Sequence, residues 1–273
     1  MNMEIVQILK YEFIKNALLA GILASVICGM IGTVVVNKRI VSLSGAVAHS
    51  SFGGVGLGYL MGVNPFWGAL LFALLSGVSI GYISKKTSQH EDTSIGIIWA
   101  FGMSLGIIFV GISKGYAPDL FTYLFGNILS VVNFDIFMLM ALCLIILISF
   151  FLLFKEINAI CFDEVFAFSR GIPVFKIYIL ILILVSLTVV VLMKIVGVIL
   201  VIALLTIAPA SSVWFNSSLK SQMFCSCILN IVFVIGGLLI SYYLNLPTGA
   251  TIIVFAVFGF IVSSLISKIV KKN

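Results

Sequence analysis

An all-α bundle of membrane-spanning helices is the fold class this sequence predicts, and three observations predict it. Hydrophobic residues make up 62% of the 273-residue chain and charged residues only 9%, far too little polar surface to clothe a water-soluble globule. The apolar residues gather into blocks close to the about 20 residues that a helix needs to cross a hydrocarbon core of about 30 Å. The basic residues fall between those blocks with a strong bias to alternate loops, the pattern of positive charge retained on the cytoplasmic side.

Nine blocks are expected as spans: Ala17 to Val36, Val41 to Met61, Pro65 to Ile83, Thr93 to Ser113, Phe134 to Phe154, Val174 to Met193, Ile195 to Trp214, Ser221 to Leu244 and Leu246 to Ile266. The sixth and seventh come from one apolar run interrupted by Lys194. As a single helix of about 36 residues that run would be about 54 Å long, so two spans with Lys194 and Gly197 near the turn are the economical reading. A count of eight, with one block re-entrant, is the alternative. The chain is expected to be a single transmembrane domain with an interfacial amphipathic segment over 1–16, the bundle over 17–266 and a basic cytoplasmic tail over 267–273. Residues 1–16 interleave Glu4, Lys10, Glu12 and Lys15 with apolar side chains, which suits a helix lying at the membrane surface. A cleaved leader fits less well, because the apolar run that follows continues for a full span.

With nine spans and the N-terminus outside, eleven basic residues fall in the cytoplasm and four outside: Lys10, Lys15, Lys114 and Lys194. The formal charge of +6 therefore reads as a topological bias and a match to anionic lipid headgroups, with no nucleic-acid partner expected. The five cysteines, Cys28, Cys143, Cys161, Cys225 and Cys227, lie mostly within spans without ligand-like spacing, and packing is their expected role.

The most informative stretch is SLSGAVAHSSFGGVGLG, residues 42–58. His49 stands in it among glycine and hydroxyl residues. An ionisable side chain at bilayer depth faces a protein interior or a water-filled path and is a functional-site candidate by default. Ser42, Gly45, Ala46, His49, Gly53 and Gly56 share roughly one helical face, where small residues let neighbouring backbones approach. A hydrogen bond across a helix interface, with no further role, is the competing account of His49.

Two loops on the cytoplasmic side are long enough to engage a partner: one with Asp163, Glu164, Arg170, Gly171 and Pro173 around a short amphipathic helix, the other PASSVWFNSSLKSQ from Pro209 onward, where the proline is expected to break a buried helix into a polar turn. Solvated connectors are the alternative for both. Outside, APDLFTYLFGNILSVV is too short to cross and too apolar for free solution, so a re-entrant or surface helix roofing the bundle is expected. Asp119, Asp135 and the Glu91–Asp92 pair are expected as helix caps.

Taken together, RIVSLSGAVAHSSFGGVGLG, EDTSIGIIWAFGMSLG, DLFTYLFGNIL, FDEVFAFSRGIP, VGVILVIALLTIAPA and LPTGA, in that order, resemble the integral-membrane permeases of ATP-binding-cassette importers for zinc, manganese and iron. The resemblance implies a transport subunit with no catalytic residues and no permanent cofactor, working with a second copy of itself, a cytoplasmic ATPase dimer and an extracytoplasmic metal-binding protein in the cell membrane. Consistent with a separate ATPase, no G-x-x-x-x-G-K-[ST] phosphate loop occurs in the chain. It further implies that the Pro209 loop, with Ser211, Trp214, Asn216 and Lys220, couples to the ATPase, and that Asp163, Glu164, Arg170 and Gly171 lie beside it. Many relatives carry D-x-x-x-H in the second span; here His49 is kept and Gly45 replaces the carboxylate. Asn127 likewise stands where some zinc permeases are acidic, so Asp119 and Asn127 are the expected polar groups at the outer mouth.

His49, supplemented by Ser44 or Ser50 and doubled by a dimer axis, is the expected transient ligand for the passing ion. The scarcity of oxygen ligands in the spans leans the metal towards zinc, since manganese prefers oxygen. Two other readings are a permease for an iron chelate or cobalamin, and an ion-gradient-driven transporter; the latter normally needs intramembrane carboxylates, and the acidic residues here lie at span ends or in loops.

Overall fold

A computed structural model describes residues 12–86, 91–113 and 126–270, and within them the chain is helical with no strands. The helices are α1 (Glu12–Asn37), α2 (Val41–Met61), α3 (Pro65–Lys86), α4 (Glu91–Ile112), α5 (Asn133–Phe162), α6 (Glu164–Ser169), α7 (Val174–Val196), α8 (Val198–Val213), α9 (Leu219–Leu244) and α10 (Thr248–Val270), with a 3-10 turn at Ile128–Ser130. Seven of these, α1, α3, α4, α5, α7, α9 and α10, are long and apolar enough to cross a membrane. Counted by length and apolarity among the described residues, the spans are seven where nine were expected, for two reasons. α8 has 16 residues, about 24 Å at 1.5 Å per residue, shorter than the hydrocarbon core. α2 has 21 residues, but its serines and glycines leave it less apolar than a lipid-facing span.

Two further expectations move. Of the interfacial segment expected over 1–16, residues 1–11 lie outside the described residues, and Glu12 to Asn16 already belong to α1. Pro209 does not end its helix: it is buried inside α8, which runs on to Val213. Because proline has no N–H, the Leu205 carbonyl one turn earlier loses its helical partner. α1 packs closely there, and a Cβ at Gly32 would collide with the Leu205 carbonyl and with the Pro209 ring. The freed carbonyl thus lies in a buried contact, with no turn made at the proline. The Lys194 run does break, at Gly197, whose φ of 84° and ψ of 154° separate α7 from α8 by one residue. Such a positive φ is open to glycine at little steric cost.

The chain forms two compact units. One comprises the described parts of Met1–Val36, Leu124–Ile146 and Ile195–Asn273; the other comprises those of Asn37–Tyr123 and Leu147–Lys194. In the first, α9 packs against α10, with Gly236 and Gly237 set against Phe255 and Ile252 and Gly259 against Phe233. Asn230, fully buried in α9, donates to the Leu204 carbonyl at 3.1 Å. In the second unit, α2 is the hub for α3 and α4. A Cβ on Gly54 would overlap the Gly68 carbonyl, and one on Gly68 the Gly54 carbonyl, so the α2 and α3 backbones touch. On α4, a Cβ at Gly102 would lie 2.5 Å from the Ser50 Cα, and one at Gly106 2.6 Å from the Phe52 carbonyl oxygen. Without glycine at these four positions the three helices could not reach this separation.

Gly102→Ala is expected to destabilise the chain by about 1–3 kcal/mol, the usual penalty for overpacking against rigid neighbours, and Gly54→Ala by more. Gly96→Ala and Gly111→Ala, where an added Cβ meets no atom within 4 Å, should leave stability unchanged. Thermal unfolding of the four variants in one detergent checks the contrast.

Candidate functional site

The small-residue face of α2 lies against α4. Ser42 donates to Asp92 at 3.4 Å, His49 stacks on Trp99 with ring centroids 4.6 Å apart and planes 8° apart, and Gly102 covers Ser50. These pairs advance along both helices together, so α2 and α4 run parallel with a near-constant offset. Three polar atoms with no hydrogen-bond partner lie along this pair of helices: Ser44 Oγ, Ser94 Oγ and His49 Nδ1. Ser44 and Ser94 are both 0% exposed and stand at the same offset as the Ser42–Asp92 and His49–Trp99 pairs. A buried polar group without a partner is disfavoured by about 1–3 kcal/mol; of the three, His49 stands on the face of α2 that meets α4, whereas Ser44, five residues away, lies on another face of that helix.

The seam itself carries the half-buried imidazole of His49 and, roughly 10 Å along α2 from it, Ser42 with the exposed Asp92; Ser44 and Ser94 lie about one and a half turns from the His49 level on each helix. Ser50, by contrast, spends its hydroxyl on the Val47 carbonyl at 3.2 Å. His49 makes no hydrogen bond through Nδ1; its contact with α4 is the ring stack. Among the described residues no group of three His, Cys, Asp or Glu side chains converges. Trp99 and Ser94 were not singled out from sequence. The signal that points to them is the matching spacing of glycines in α2 and α4, which fixes the register once the two helices are taken as neighbours.

The coupling candidates fall at helix ends. After α8, Trp214 stacks on Phe260 at 4.8 Å between centroids, and Asn216 organises the turn: its side chain donates to the Ser212 carbonyl at 2.9 Å and accepts from Ser221 Oγ, while its carbonyl accepts from Gln222 at 3.0 Å. Ser211 is buried and bonded within α8, and Lys220 is exposed. Five residues between α8 and α9 are thereby held as a compact knuckle (214–218).

In the second unit, Asp163 caps α6 by accepting from the Val165 and Phe166 amides at 2.8 and 3.1 Å. Glu164 is gripped by two lysines, Lys38 and, at 2.5 Å, Lys85. Lys38 also donates to the Ile160 carbonyl at 3.3 Å, and both ammonium groups lie near the face of the buried Tyr178 ring. Burial raises the Glu164 carboxyl, and the hydrogen bonds and charges of Lys38 and Lys85 outweigh it, so the group is held below the ordinary carboxylate range. With α6 so anchored, Val165 and Phe168 are 79% and 74% exposed. Arg170 lies over Phe166 at 5.2 Å, and Gly171 turns the chain with a φ of 77°.

At the outer candidates, Asn127 accepts from the Leu129 amide at 3.0 Å and so caps the 3-10 turn. Asp119 and most of the expected roof segment lie outside the described residues. Asp135 is buried and accepts from the Val132 amide at 3.3 Å, the capping position expected of it.

A family model described as the ABC 3 transport family matches residues 10–267. The chain is 43% identical to an uncharacterized membrane protein of Synechocystis sp., over 94% of this chain and 92% of that one. It is 33% identical to the manganese import system permease protein ScaB of Streptococcus parasanguinis, over 97% of this chain and 94% of that one. Among solved structures it is similar to PsaBC from Streptococcus pneumoniae in complex with Fab, with a TM-score of 0.84 and 33% identity, covering 96% of this chain and 95% of that chain.

Because the folded Glu164 carboxyl sits below its unfolded value of about 4.3, its contribution is complete above that pH and is lost as the pH falls through the lower folded value. Glu164→Gln should lower stability by about 1 kcal/mol at neutral pH. The gap between wild type and variant should close on acidification below about pH 4, read as the difference of two unfolding midpoints across a pH series.

Proposed function

The chain belongs to the ABC 3 transport family, and on that footing we propose that it is the membrane-spanning permease subunit of an ATP-binding-cassette importer for a divalent transition metal, with manganese favoured over zinc. The observation that carries the reading is the near full-length match to a permease named for manganese import. Two of the three unpaired polar atoms on α2 and α4 are hydroxyl oxygens, and oxygen ligands suit manganese better than zinc. The expected lean towards zinc rested on a scarcity of oxygen ligands in the spans, and the match to a permease named for manganese import outweighs it.

In this reading His49 is a passing ligand. Lacking a carboxylate at Gly45, one chain offers neutral donors that bind a divalent ion weakly, and a weak site is one the ion can leave. A second copy of the chain supplies further donors across a shared axis. The knuckle over 214–218 engages a cytoplasmic ATPase, α6 is the second candidate for that contact, and an extracytoplasmic binding protein delivers the ion near Asn127. The N-terminus lies outside and the C-terminus in the cytoplasm of a plasma-membrane protein, on the charge bias of the nine-span count; the meeting of Lys38, Lys85 and Glu164 supports only that these three share one side, with α2 crossing between Lys38 and Lys85.

Reconstituted with its ATPase and binding protein in vesicles, the permease should take up manganese in an ATP-dependent manner, faster than zinc or iron. His49→Ala should cut the initial rate by about tenfold or more, on the scale of losing one metal-orienting group, with assembly intact. Unchanged uptake in that variant removes His49 from the route. Absence of uptake of all three metals by the assembled wild-type complex rejects the metal-import reading itself.

A further inference from the structure

At the end of the second unit, where α3 finishes and α7 begins, lies a pocket of about 580 Å³ lined by Lys85, Glu164, Phe168, Ile172, Val174 and Lys176, together with Pro173 and Phe175. Its size is within the range that holds small organic ligands. Its walls divide by chemistry. One side is basic: Lys85 and Lys176 line it and Lys38 stands behind Glu164. Against these three lysines there is one carboxylate, and Glu164 is already bonded to Lys38 and Lys85. Lys176 is exposed and has no ion-pair or hydrogen-bond partner among the described residues. The other side is apolar, with Phe168 and Phe175 74% and 40% exposed.

We infer that this pocket holds the headgroup of an anionic phospholipid, the phosphate between Lys85 and Lys176 and the start of the acyl chains along Phe168, Val174 and Phe175. The pocket's level in the bilayer favours a lipid. It joins the last turn of one crossing helix, α3, to the first turn of another, α7, which is the level of headgroups. Each lysine near an anionic surface strengthens such binding by about fivefold. A free phosphate ion would use the lysines but leave the aromatic wall idle. Lys176 sits in the first turn of α7, which has no acidic residue, so nothing on its own helix turn neutralises it. The inference rests only on the chain spanning a membrane, and it holds whatever metal the permease carries.

The test uses the full-length chain, purified in detergent and stripped of lipid, with binding of phosphatidylglycerol and phosphatidylcholine measured by native mass spectrometry. Wild type should hold phosphatidylglycerol more tightly than phosphatidylcholine. Lys176→Glu should weaken phosphatidylglycerol about 25-fold, two charge units at about fivefold each, and leave phosphatidylcholine unchanged. Lys176→Gln should fall between. Size-exclusion profile and unfolding temperature should match wild type in both variants, since Lys176 supports no other group. Equal retention of the two lipids, or wild-type retention of phosphatidylglycerol by Lys176→Glu, overturns the proposal. Displacement of the lipid by millimolar inorganic phosphate also overturns it, by making the pocket a site for a soluble anion.

Discussion

The contact on which the second unit depends is the meeting of three backbones at glycine. In water, helices are driven together by burying apolar faces; in lipid that drive is absent, and association rests on close packing and polar contacts. α2 solves this by discarding side chains. Gly54 and Gly68 bring α2 against α3, and Gly102 and Gly106 bring α4 against Ser50 and Phe52. The consequence is register. Once these four positions are seated, His49 must stack on Trp99 and Ser44 must fall level with Ser94, because the helices are stiff between contacts. The chemistry of the seam is thus set by residues that carry none themselves.

This also accounts for what the sequence revealed and what it withheld. The helical class was plain from composition, and the helix positions from the apolar blocks, because a bilayer imposes one length on every crossing segment. The span count was less legible, since α2 has the length of a span without its apolarity and α8 has the apolarity without the length. Pro209 misled because proline was read as a stop. A buried proline continues a helix when something packs against the carbonyl it frees, and Gly32 of α1, about 180 residues away in sequence, does so. His49 was visible alone, as an ionisable residue in an apolar chain. Its partners were not: Trp99 and Ser94 are ordinary members of an apolar span until α4 is set beside α2. Likewise Lys38 and Lys85 read as topology signals, and nothing in their spacing announces that both close on Glu164.

The two coupling candidates are built on different principles. The knuckle after α8 is held by uncharged hydrogen bonds centred on Asn216, short-range and directional, so its shape is insensitive to salt and to modest changes in pH. α6 is held by charge: one carboxylate between two ammonium groups beside a tyrosine ring. A six-residue helix has little stability of its own, so α6 persists as an element because Asp163 caps it and Glu164 ties it down. α6 therefore depends on charge for its persistence, whereas the form of the knuckle depends on uncharged hydrogen bonds.

The absence of a carboxylate at position 45 gives the seam its character. An aspartate one turn from His49 would pair a negative charge with the imidazole and raise the affinity for any divalent ion, at the expense of release. Here the donors at mid-helix are an imidazole and hydroxyls, all neutral, and the first negative charge on the seam is Asp92, at the end of α4 and exposed. Affinity for a cation therefore rises from the middle of the helices towards that end. If an ion follows the proposed route, moving from neutral donors towards the Asp92 carboxylate brings it Coulombic stabilisation.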